Sequence, residues 1–105
     1  MNIIDTGDFE AKEKFAPYKL IQQDEVDVVL LVFQPGQGLK EHTTPVDVFF
    51  YVVQGTAEIQ VAHETEQVPE GNIVLSPKDI PHNVRNTSHE DAKILVVKTP
   101  SPRKV

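Results

Sequence analysis

The chain contains no cysteine, which excludes disulfide stapling and a thiolate nucleophile and fits a reducing compartment. Arginine is almost missing as well: Arg85 and Arg103 are the only two, and the formal net charge is −6. The broad positive surface that holds a nucleic acid is therefore lacking. The one basic cluster, the terminal "KTPSPRKV", reads as a solvated tail. No apolar run approaches the roughly 18 residues of a membrane span. The start, "MNIIDTGDFEAKEKF", has neither the basic flank nor the apolar stretch of a secretory signal. The expectation is a cytoplasmic protein with no nucleic-acid or membrane partner. Helical periodicity is lacking too, apart from a weak signal in "DFEAKEKF", and so are a Ser/His/Asp spacing and a phosphate-cradling glycine loop.

What the chain does have is β-branched and aromatic residues in short runs, set apart by Gly, Pro, Asn and Asp clusters, the signature of strands. Strong runs occupy residues 26–33, 46–53, 56–62 and 93–98, with shorter ones at 73–75 and 82–85. Turn chemistry in "QPGQG", "PEGN", "SPKDIP" and "RNTSHED" fits the gaps,. Short strands at this spacing in 105 residues predict one all-β domain, a sandwich or a barrel. Along residues 57–61, Ala57, Ile59 and Val61 alternate with Glu58 and Gln60, so that strand has one wet side. The run 46–53 behaves differently. Val46, Val48, Phe50 and Val52 share one face, while Phe49, Tyr51 and Val53 share the other. A chain this small has little material to cover two apolar faces, so one is expected inside the barrel and the other against a second subunit in a homodimer.

The spacing of glycine, proline and histidine resembles the cupin superfamily, small jelly-roll barrels of antiparallel strands marked by two motifs. In the first motif Gly36, His42 and Gly55 hold their positions. Thr44 stands where the motif has its second histidine, and Val48 (or Phe49, at the longer spacing) where it has glutamate. The second motif is carried by "GNIVLSPKDIPHNVRN": Gly71, Pro77, His82 and Asn86 match, and Asp79 replaces a glycine. The resemblance covers residues 26–100. It leaves 1–25 as an N-terminal segment packing on the barrel or on a dimer partner, and 101–105 as a C-terminal tail.

A site of this family implies three imidazoles and a carboxylate around one divalent transition metal, with positions left open for substrate. The period of two puts Thr44, Val48 and Phe50 on the face of His42, and His82 joins from the facing strand. These five residues are the expected ligand pocket, and His42 and His82 are the remaining metal-ligand positions. Two neutral imidazoles without an anionic ligand hold a divalent ion weakly. Thr44 adds only a hydroxyl, and the nearest carboxylates, Glu41 and Asp47, sit at odd offsets that aim them away. The resemblance thus implies a small-molecule-binding cupin of unassigned activity, its metal site reduced or lost. Two enzyme readings stand beside it. One is a metal-dependent dioxygenase, isomerase or decarboxylase using His42 and His82; the other is a metal-independent, epimerase-like enzyme with one of them as general base. His63 and His89 fall in expected turns, Tyr51 on the far face, and Arg85 points away from His82, so all four lie outside the site.

Overall fold

In a computed structural model describing residues 1–104, the apolar runs become strands of two antiparallel sheets. In chain order these are β1 (Tyr18–Gln22), β2 (Asp27–Phe33), β3 (Asp47–Gln54), β4 (Thr56–Val61), β5 (Glu64–Pro69), β6 (Ile73–Ser76), β7 (His82–Arg85) and β8 (Ala92–Thr99). One sheet runs β1-β2-β8-β3-β6 and the other β5-β4-β7. Facing residues Phe33, Phe50, Val52, Ile59, Val84 and Ile94 are buried between them. Each such side chain contributes about 1.5–3 kcal/mol by leaving water, which is why the even face of β3 turns inward. The result is the all-β jelly-roll barrel that the resemblance implies, one of the two architectures left open by the strand pattern.

Two strands are silent in the sequence, each for a physical reason. In β5 only Val68 is buried and the other five positions are exposed, so no apolar alternation marks it; it is a polar edge strand, the kind that resists pairing with other chains. In β1 the register with β2 shifts between Lys19 and Ile21, and this bulge breaks the period of two. Gly55 makes the tight turn from β3 to β4 with φ +78°, and a Cβ there would lie 2.7 Å from the Asp91 carbonyl oxygen. Glycine is required at that point.

The two ends of the chain depart from expectation. The barrel begins at Tyr18, inside the segment assigned to 1–25, because β1 pairs with β2. No helix forms in "DFEAKEKF"; a single 3-10 turn, Thr6–Asp8, precedes β1. The carbonyls of Lys12 and Glu13 accept instead from the Gln37 side chain at 2.7 and 3.0 Å. Phe9 packs on Tyr18 and Phe15 on Phe33, each at 4.9 Å between ring centroids. The C-terminal residues are not a solvated tail either. Ser101 is fully buried and donates to Asp27 Oδ2 at 3.0 Å, while Arg103 pairs with Asp27 Oδ1 at 3.1 Å. Burial by itself would raise the Asp27 pKa, but the hydrogen bonds from Arg103 and Ser101, with the charges of Arg103 and Lys98, outweigh it and hold that carboxyl below its usual value.

The outer face of the larger sheet is covered at one end. Lys93 Nζ donates to the Thr6 carbonyl at 2.7 Å, and Leu30 and Val32 on that face are buried. At the other end, Tyr51 lies between Leu95 and Ile73, and Phe49 between Val97 and Leu75. Ile73 and Leu75 are each 65% exposed.

Candidate functional site

The segment from Gly38 to His42 runs beside β7 and connects the two motif halves. Leu39 N–H donates to the Val84 carbonyl at 2.9 Å, and His42 and His82 exchange N–H to C=O bonds of 3.1 and 2.9 Å. Residues paired in this way across antiparallel chains project to the same side. Their imidazoles therefore stand together, centroids 4.7 Å apart and planes at 80°.

His82 is almost fully buried. Its Nδ1 lies 2.7 Å from Ser76 Oγ and its Nε2 3.2 Å from Thr44 Oγ1, with the Phe50 ring edge-on at 5.3 Å. Burial first, then the charges of His42 and Lys98, lower its pKa from 6.5 to about 4. The ring is therefore neutral near pH 7, and each nitrogen is satisfied by a hydroxyl that can donate or accept as required. His42 is exposed at the cavity mouth, with Nδ1 2.7 Å from the Lys40 carbonyl. A carbonyl only accepts, so Nδ1 carries a proton, and in the neutral tautomer the lone pair falls on Nε2.

Between the sheets lies a cavity of about 220 Å³ that brings together His42, Thr44, Val48, Phe50 and His82. Val29, Leu31, Leu39 and Val96 complete an apolar wall, and Lys19 and Lys98 also line it. Asp47 accepts instead from the Lys78 backbone N–H at 3.0 Å, and Glu41 from Gln60 Nε2 at 3.1 Å. Among the described residues, no three His, Cys, Asp or Glu side chains gather where they would hold a metal ion. Asp79, at the motif's glycine position, takes φ +64°, a conformation that Asp tolerates better than most residues. Its N–H donates to the Thr44 carbonyl at 2.9 Å, which ties the β6–β7 loop to the segment leading into β3. His63, His89 and Arg85 are exposed away from the cavity, and Tyr18 donates to the Glu10 carbonyl.

Three polar residues of the site lie outside the five expected from the sequence. Ser76 lies opposite Val48 on β6, and Lys98 shares its face of β8 with Ile94 and Val96. For both, the alternation within their own strands was a usable signal. Lys19 had none, because the bulge in β1 conceals its direction.

No helix among the described residues is long and apolar enough to cross a membrane. Over 67 residues the chain is 31% identical to "Polyketide synthase CurC" of Streptomyces cyaneus, covering 63% of this chain and 44% of that protein. It is 32% identical over 65 residues to "Protein SchB" of Streptomyces halstedii, covering 61% of this chain and 47% of that one. The chain thus spans about half the length of these curated relatives. Among solved structures, TT1209 of Thermus thermophilus superposes with a TM-score of 0.88 at 30% identity, covering 95% of this chain and 98% of that one. The family described as "Cupin domain" matches residues 29–98, about two thirds of the sequence, and the chain belongs to that family.

Proposed function

We propose that this cupin binds a small molecule in its barrel, in the cavity walled by His42, Thr44, Val48, Phe50 and His82, and that its metal site is reduced. The donor set carries this reading. Of the two imidazoles, His82 has both nitrogens engaged by Ser76 and Thr44, only His42 offers a lone pair, and no carboxylate lines the cavity. Such a set does not fit a resident divalent ion, which needs anionic ligands and several free donors. The test is elemental analysis of protein purified without added metal. Substoichiometric Fe, Mn, Ni, Cu and Zn is the expected result. A near-stoichiometric metal that chelators remove with loss of stability would refute the reading and favour the metal-dependent enzyme.

A metal-independent catalytic version of the same site is favoured by one observation: His42 Nε2 is left as an acceptor at the cavity while the Lys40 carbonyl orients the ring. In that version His42 is the general base. Conversion of a substrate that His42→Ala still binds but no longer turns over would establish it. The same proposal places the protein in the cytoplasm as a homodimer. A second copy of this chain covers Ile73 and Leu75, whose apolar row continues through Phe49, Tyr51, Leu95 and Val97 without a charge. Such a patch suits a self-complementary two-fold interface.

A further inference from the structure

We propose that the barrel selects an organic carboxylate with a compact apolar body, its carboxylate held by Lys19 and Lys98. This inference rests on the cavity being a small-molecule site and adds the chemistry of the ligand. The chain carries 16 acidic and 10 basic residues, yet the cavity wall contains two lysines and no acid. The excess of negative charge is thus reversed in this cavity.

Neither lysine forms an ion pair among the described residues, although the Lys98 charge is felt at Asp27. The ion pairs among the described residues are Arg103 with Asp27 and Lys104 with Asp24. Asp27 is the informative neighbour, because it stands opposite Lys98 across β2 and β8 and would be its natural partner. It is already occupied: Arg103 reaches back from the C-terminal turn to one carboxylate oxygen and Ser101 donates to the other. Docking of residues 101–103 therefore satisfies Asp27 from the far side and leaves the Lys98 ammonium to the cavity. Lys19 reaches the same cavity from β1, where the bulge that follows it breaks the regular register. Lys98 is a half-buried residue opposite Val48 on β3, and an incoming carboxylate exchanges part of the hydration of its ammonium for a charge-assisted hydrogen bond.

The remainder of the wall defines the rest of the ligand. Val29, Leu31, Leu39, Val48, Phe50 and Val96 are hydrocarbon surfaces, suited to a ring or a branched chain. A volume of about 220 Å³ admits roughly ten non-hydrogen atoms at the packing density of protein interiors. This is the size of a simple aromatic or branched-chain acid.

The experiment compares phenylacetate with its neutral isostere phenylacetamide by amide-resolved NMR titration of the whole chain. EDTA is present so that no adventitious metal attracts the anion. Phenylacetate is expected to bind about tenfold more tightly than the amide, through one partly desolvated and one exposed ammonium, with the largest shifts at Thr44, Val48 and Val96. In the Lys19→Gln/Lys98→Gln double variant the ratio should fall towards one while phenylacetamide affinity is kept. Lys78→Gln, away from the cavity, should leave the ratio unchanged. If the double variant fails to fold, Lys19→Gln alone, on an exposed edge strand, should still lower the ratio. Equal binding of the two probes by the unaltered protein would overturn the charge selection and leave the cavity reading standing. A preference that survives both substitutions would overturn the assignment to these lysines. Failure of both probes to shift any cavity amide at millimolar concentration would overturn the inference and the cavity reading together.

Discussion

Acid should destabilise this barrel through a single buried imidazole. His82 holds its neutral form because the folded protein lowers its pKa from 6.5 to about 4. Between those values the unfolded chain binds a proton that the native state refuses. Stability is therefore complete above about pH 6.5 and falls as the pH drops towards 4. Each unit of displacement corresponds to about 1.4 kcal/mol, so the whole window is worth on the order of 3 kcal/mol, of which about 2 kcal/mol is lost by pH 5. For a domain of this size that loss lowers the melting temperature by roughly 10 °C. Urea unfolding at neutral pH and near pH 5 measures it, and an NMR titration of the His82 ring carbon protons reads the same pKa without unfolding anything. His82→Gln, which keeps the contacts with Ser76 and Thr44 but cannot be protonated in this range, should flatten the profile. A wild-type protein equally stable at both pH values, or a variant that retains the whole acid loss, would refute the reasoning.

Other substitutions test other parts of the structure. Phe50→Ala removes a ring that is both core and cavity wall and should cost about 3 kcal/mol in urea unfolding, at the low end for a phenylalanine because a cavity already adjoins it. Gly55→Ala should cost about 2 kcal/mol or more, since φ +78° and a 2.7 Å approach to the Asp91 carbonyl both oppose a side chain. Arg103→Gln removes the ion pair to Asp27 and should destabilise at neutral pH. Because the Asp27 pKa is held below 3.8, that difference from wild type should fade only as the pH falls through the lowered value and the native carboxyl takes up its proton. Leu75→Glu should convert a dimer into a folded monomer by light scattering; a wild-type protein of monomer mass at micromolar concentration would remove the dimer proposal.

Much of the barrel was legible in the chain because strand alternation is a local property. The inward row of β3 and the wet side of β4 follow from a period of two that needs no knowledge of partners. The motif spacing likewise announced that His42 and His82 belong to one site, and the parity of Glu41 and Asp47 excluded them from it. Tertiary structure decided what each of these groups does. His42 and His82 form a hydrogen-bonded cross-strand pair, Ser76 and Thr44 occupy both nitrogens of His82, and Asp27 is taken by Arg103 from the far end of the chain. A sequence states which side of a strand a residue faces. Hydrogen bonding, desolvation and charge pairing depend on which groups meet across it, and most of those groups lie tens of residues apart along the chain.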